Sequence, residues 1–294
     1  MSSRTDTVAA TDGTPLLTRS WPVAGKPWAV LLLVHGLSEH SGRYEHVGEW
    51  LAAAGLEVHA YDHRGFGGSG GRRGDVPRWS LLLDDLEQRL AAVRRPGLPV
   101  ALYGHSMGGL ICVEYAESSR PQPDALVVSS PALDSSHPRY LHWLAAVVGR
   151  IVPWLSVPGG DDFSVLSRDP AVGAAFAHDP LVVNRATARF GREVFEAQRR
   201  TRRRLPRIHI PTLVMHGDSD RLVPPSASAA LGRLAGATRR VYPGLRHELH
   251  NEPEARHIVA DVVAWLRSRL VDDDRLLEHD RTAHEEEQRR PEQQ

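Results

Sequence analysis

Six short, nearly unbroken apolar runs set the frame for this sequence: residues 29–34, 58–61, 99–103, 125–128, 212–215 and 240–242. A strand with one wet face alternates apolar and polar side chains, whereas a run without alternation is covered on both faces, the pattern of parallel strands between layers of helix. Helical periodicity fills the intervals. Tyr44, Val47, Trp50, Leu51 and Ala54 share one face, and Gly55 follows where a left-handed residue can close a helix. Trp79, Leu82, Leu86, Leu90 and Val93 repeat the spacing, as do Val259, Val262, Leu266 and Leu270. Asn251 and Glu254, three apart, are placed to cap that last helix. Strand alternating with helix predicts an α/β fold with a mostly parallel central sheet flanked by helices.

One interval breaks the rhythm. Val128 and Val214 lie 86 positions apart, far more than one crossover needs. Helical patterns punctuated by Pro and Gly occupy it, which predicts a helical cap over residues 133–207, inserted into a core formed by residues 1–132 and 208–270. In the cap, Leu141, Trp143, Leu144, Val147, Val148, Ile151, Trp154 and Leu155 supply more apolar surface than a short solvated helix needs, which fits packing against the core, or else lining an acyl tunnel or touching lipid. Where the cap rejoins the core, Arg199, Arg200, Arg202, Arg203, Arg204 and Arg207 form a basic cluster that would attract anionic headgroups. Residues 271–294 are polar and read as a disordered acidic tail.

Charge narrows the function. Lys plus Arg number 36 and Asp plus Glu number 36, without the basic excess of a nucleic-acid binder. The balance is a cancellation, since residues 134–207 hold 12 Arg against 7 acids and residues 271–294 hold 4 Arg against 9. No run of 18 apolar residues and no secretory leader is evident, and Cys112 is the single cysteine, which fits a small core residue in a reducing compartment. The expectation is a cytoplasmic protein, peripheral to membranes if it touches them.

The chemistry concentrates at strand ends. The run 99–103 leads into Gly104-His105-Ser106-Met107-Gly108-Gly109, a G-x-S-x-G sequence between a strand and a helix. Such a turn strains the serine, and side chains two positions to either side would collide, so glycine is favoured at both. A serine hydroxyl needs an imidazole to take its proton and an acid to orient that imidazole. Downstream, His216-Gly217-Asp218-Ser219-Asp220 follows one strand and His247-Glu248-Leu249-His250 follows the next, each offering two candidates in the order Ser, Asp, His. An oxyanion would be held by the Met107 N–H, after the serine, and by the Leu37 N–H in the loop His35-Gly36-Leu37-Ser38.

Three segments carry a resemblance: His35-Gly36-Leu37-Ser38-Glu39-His40-Ser41-Gly42-Arg43-Tyr44, Asp62-His63-Arg64-Gly65-Phe66-Gly67-Gly68-Ser69, and the serine motif itself. Together they resemble the monoacylglycerol lipase branch of the α/β-hydrolases over about residues 10 to 270. The resemblance implies the α/β-hydrolase fold and a triad of Ser106, Asp220 and His247, with Asp218 and His250 as neighbours. It further implies a head-group site at Glu39, Arg43 and His250, no cofactor and no metal. Ser38 departs from the family's usual glycine. The implied activity is hydrolysis of monoacylglycerols or similar lipid monoesters through an acyl-enzyme. Lysophospholipases and short-chain carboxylesterases use the same scaffold, and a silent binding protein would show a damaged triad.

Overall fold

The computed structural model describes residues 2–136 and 138–271. The 29–34 run forms β3 (Ala29–Val34), all six residues buried, and β5 (Val100–His105), β6 (Ala125–Ser129) and β9 (Thr212–Gly217) are likewise buried throughout. With β4 (Leu56–Tyr61) and β10 (Ala237–Tyr242) they make a parallel sheet in the order β4-β3-β5-β6-β9-β10. Successive side chains point to opposite faces, so each strand feeds two cores. Val30, Leu32 and Val34 enter one cluster and Ala29, Leu31 and Leu33 the other. The first face is covered by α2 (Ser80–Val93) and α3 (Met107–Ala116), the second by α1 (Glu45–Ala53) and α7 (Ala255–Leu270). At about 1.5–3 kcal/mol for each fully buried Val or Leu, these two layers are the main source of stability. Gly55 closes α1 at φ +89°, and its carbonyl accepts the Trp28 N–H at 3.1 Å.

Two strands escape the sequence pattern. β1 (Arg4–Ala9) and β2 (Pro15–Trp21) pair antiparallel with each other, and β2 pairs antiparallel with β4, extending the sheet to eight strands. They form an edge, so one face stays wet and the run of apolar residues is lost. The capping expectation at Asn251 is corrected. Helix α7 starts at Ala255, its N-cap Glu254 makes no side-chain cap bond, and the Asn251 amide instead donates to Glu248 Oε2 at 2.7 Å.

Between β6 and β9 the chain forms the cap, with α4 (Arg139–Ile151), α5 (Pro170–His178) and α6 (Ala188–Arg204). It also contains a small antiparallel pair that the sequence reading did not anticipate, β7 (Ser156–Pro158) with β8 (Arg185–Thr187). Tyr140, Trp143, Ile151 and Trp154 are 61–69% exposed on the outside of the cap. The basic cluster is partly engaged internally, since Arg200 pairs with Glu114 of α3 and Arg202 with Asp134. The tail expectation falls on residues 272–294, outside the described residues.

Parallel pairing brings the functional loops together. Val34 pairs with Gly104, so the loop after β3 lies beside the turn after β5, at the carboxyl ends of adjacent strands. The loops after β9 and β10 open at the same edge.

Candidate active site

Ser106 sits between β5 and α3 with φ 50° and ψ −116°. That conformation costs on the order of 1–3 kcal/mol for a residue bearing a Cβ, and surrounding bonds hold it. The Ser106 N–H donates to Ser129 O at 3.0 Å, and its carbonyl accepts from Ala132 N–H at 2.9 Å and Leu110 N–H at 3.1 Å. The flanking glycines have a steric reason. A Cβ on Gly108 would stand 2.1 Å from Val34 O, and one on Gly104 would stand 2.6 Å from Gly108 O.

The strand ends deliver an imidazole and a carboxylate to this serine. His247 Nε2 is 2.9 Å from Ser106 Oγ, and His247 Nδ1 is 2.7 Å from Asp220 Oδ2. Asp220 Oδ1 accepts the N–H groups of Leu222 and Val223 at 2.9 and 3.0 Å, and His216 Nε2 lies 3.2 Å from Oδ2. This network assigns the proton to Nδ1, leaving Nε2 as the acceptor for the serine O–H. Burial alone would raise the Asp220 pKa, but the His247 ring and the hydrogen bonds from His216, His247 and Val223 hold it well below the ordinary carboxylate value. Burial alone would lower that of His247. The Asp220 carboxylate, helped by Glu248 and Glu39, reverses this and sets it above the ordinary imidazole value.

The remaining candidates separate cleanly. Asp218 is exposed and accepts the Ser219 O–H at 2.9 Å and the Gly244 N–H at 2.7 Å, as a turn former does. His250 is buried against Tyr44, ring centroids 4.4 Å apart, and near His105 at 4.7 Å, with neither ring nitrogen bonded among the described residues. Cys112 is buried in the α3 core, and burial pushes its thiol far up, which makes it inert.

Two residues with unused backbone donors line the cavity at the serine. Met107 is the first residue of α3, where helical N–H groups have no internal partner. Leu37 and Met107 both line the cavity above Ser106, and neither N–H is donated to a protein acceptor among the described residues. The loop passes so close that a Cβ on Gly36 would lie 3.2 Å from Ser106 Cβ. Ser38 has φ 70°, a left-handed conformation that explains why glycine would be at ease there.

The cavity has a volume of about 430 Å³ and runs from Ser106 between core and cap. Phe163, Phe176, Phe190, Val194, Phe195 and Leu222 give it apolar walls. Glu39 lines its floor, accepting Gly36 N–H at 2.5 Å and the Tyr44 O–H at 2.7 Å. Arg43 and His250 stand behind this surface and are not among the lining residues. Arg43 donates to Glu39 at 3.0 Å, and its plane lies over Phe176 at 4.7 Å. Sequence reasoning missed Glu248, which also lines the cavity and grips Arg43 through two bonds of 2.7 and 2.8 Å. No local signal marks a partner 205 residues away.

The family described as Serine aminopeptidase, S33, matches residues 25–254. A monoacylglycerol lipase of Mycolicibacterium smegmatis is 38% identical over 271 residues, covering 89% of this chain and 96% of the relative. The human monoglyceride lipase is 35% identical over 272 residues, covering 88% and 89%. Among solved structures, the Paleococcus ferrophilus monoacylglycerol lipase superposes with a TM-score of 0.79 at 34% identity, over 86% of this chain and 99% of that one.

Proposed function

This chain belongs to the serine aminopeptidase S33 family of α/β-hydrolases, in its monoacylglycerol lipase-like branch, and from that premise we propose that it cleaves monoacylglycerols or similar lipid monoesters through Ser106, His247 and Asp220. One observation carries the reading: an unbroken Ser106–His247–Asp220 chain, at 2.9 and 2.7 Å, opening into an apolar cavity. His247 Nε2 takes the Ser106 proton as Oγ attacks the ester carbon. The N–H groups of Leu37 and Met107 receive the oxyanion, and Asp220 stabilises the imidazolium. The protonated imidazole then donates to the leaving alcohol oxygen, giving an acyl-serine and free alcohol. Water, deprotonated by the same nitrogen, attacks the acyl carbon and releases the fatty acid.

The acyl chain fits the Phe-lined walls. The glycerol hydroxyls fall to the polar floor, where Glu39 accepts directly, Arg43 orients it, and the bare nitrogens of His250 lie just behind. The exposed face of Trp143 and Trp154 meets the lipid surface from which substrate is drawn. Ser106→Ala should lose at least about a thousandfold in kcat while keeping its fold. It should also lose labelling by a fluorophosphonate probe. Near-native hydrolysis by that variant would refute the assignment, and rates on monoacylglycerols, lysophospholipids and nitrophenyl esters of graded length would fix the substrate class.

A further inference from the structure

The cavity floor holds a charge arrangement that Ser106, His247 and Asp220 do not require. Glu39 and Glu248 both line it, both are buried, and a single guanidinium, Arg43, stands behind them. Glu248 takes both arms of that guanidinium, at 2.7 and 2.8 Å, and Glu39 takes one at 3.0 Å. Two more acids, Asp134 and Asp162, stand on the cavity wall, and among the described residues no Lys or Arg lines it. Asp134 is balanced by Arg202 at 2.6 Å and Asp162 is exposed, so the buried pair dominates. His105 and His250 add no countercharge, because burial holds both rings well below the ordinary imidazole value and hence neutral.

We propose that Glu248 determines specificity at this site, making the cavity accept neutral, hydroxyl-bearing head groups and reject those that carry a phosphate beside the scissile ester. The proposal rests on the lipid monoester reading of the cavity. A carboxylate can only accept hydrogen bonds, and a hydroxyl can donate to it, whereas an ionised phosphate brings acceptors alone. Arg43, directly behind this floor, is the cation that would have to turn to answer a phosphate there. Turning it would leave Glu248 buried without its partner, and removing one member of a buried pair is strongly unfavourable. Electrostatic mismatch of this kind is a usual basis for excluding the wrong partner.

The test compares kcat/KM for a 1-monoacylglycerol and for a lysophosphatidic acid of the same acyl chain, at matched ionic strength, in wild type and in Glu248→Gln. Nitrophenyl butyrate serves as a head-group-free reference. Wild type should favour the neutral substrate by about a hundredfold or more, and E248Q should shrink the ratio by about tenfold, chiefly through the KM of the phosphate-bearing ester. Because the variant is read as a ratio of two head groups, a general loss of activity cancels. Equal wild-type rates on the two lipids, or an unchanged ratio in a folded E248Q, would overturn the proposal. If E248Q does not fold, Glu248→Ala is read in the same ratio, with the same outcomes for and against. Turnover of nitrophenyl butyrate with no monoacylglycerol hydrolysis would instead refute the underlying substrate reading.

Discussion

Ser106 is held at φ 50° by hydrogen bonds from both sides, so the strain belongs to the fold and persists whatever occupies the cavity. The sequence made this residue legible because the strained turn leaves glycine as the only residue that fits at 104 and 108. Choosing between Asp218 and Asp220 was another matter. Both follow the same strand, so the residues alone left the two open; the resemblance pointed to Asp220, and the path of the loop brings that carboxylate to His247. Asp220→Asn should lower kcat by about 10⁴-fold, since an amide no longer fixes the proton on Nδ1, with KM little changed. The pH dependence follows from the raised His247 pKa. The base must be neutral to accept the serine proton, so kcat/KM should rise with pH through an apparent pKa above the ordinary imidazole value of about 6.5. A midpoint clearly below that value, measured on a soluble ester, would contradict the electrostatic account.

Elements buried on both faces announced themselves, and the antiparallel edge and the short pair in the cap did not. β3, β5, β6 and β9 are unbroken apolar runs because helices cover both sides. β1 and β2 are rich in polar, partly exposed residues, and β7 and β8 are three residues each, too short for any period to register. Where α3 meets α6, Glu117 at the end of α3 is buried and neither carboxylate oxygen has a hydrogen-bond partner among the described residues. Burial, reinforced by the nearby Glu114, pushes its pKa up to about 8. The group is therefore easier to protonate in the folded protein than in the unfolded chain. It weakens folding progressively as pH climbs from the unfolded value, about 4.3, to about 8. Glu117→Gln should raise Tm at pH 8 and change it little near pH 4, which paired thermal melts would show. A larger gain at the acid end would reverse the sign and discard the explanation.

At the scale of the whole molecule, the 86-position interval was readable as an insertion, but how it sits was not, because its packing depends on contacts far apart in the chain. One example is the buried Asp75 of the core accepting the Thr187 O–H at 2.6 Å. The outward face of the cap gives a further expectation. A Trp143→Ser, Trp154→Ser double variant should lose about tenfold in rate on vesicle-dispersed long-chain monoacylglycerol and nothing on a soluble ester, because only the first substrate must be collected from a surface. Equal losses on both would point to misfolding of the cap. Among the described residues no lysine or arginine lines the cavity, which also bears on the end of the catalytic cycle. An ester enters uncharged, but its acid product ionises within the same walls, above a floor where Arg43 is already engaged by both Glu39 and Glu248. Chemistry thus converts a welcome guest into an unwelcome one and drives turnover forward, so free fatty acid should inhibit only at concentrations well above the substrate KM.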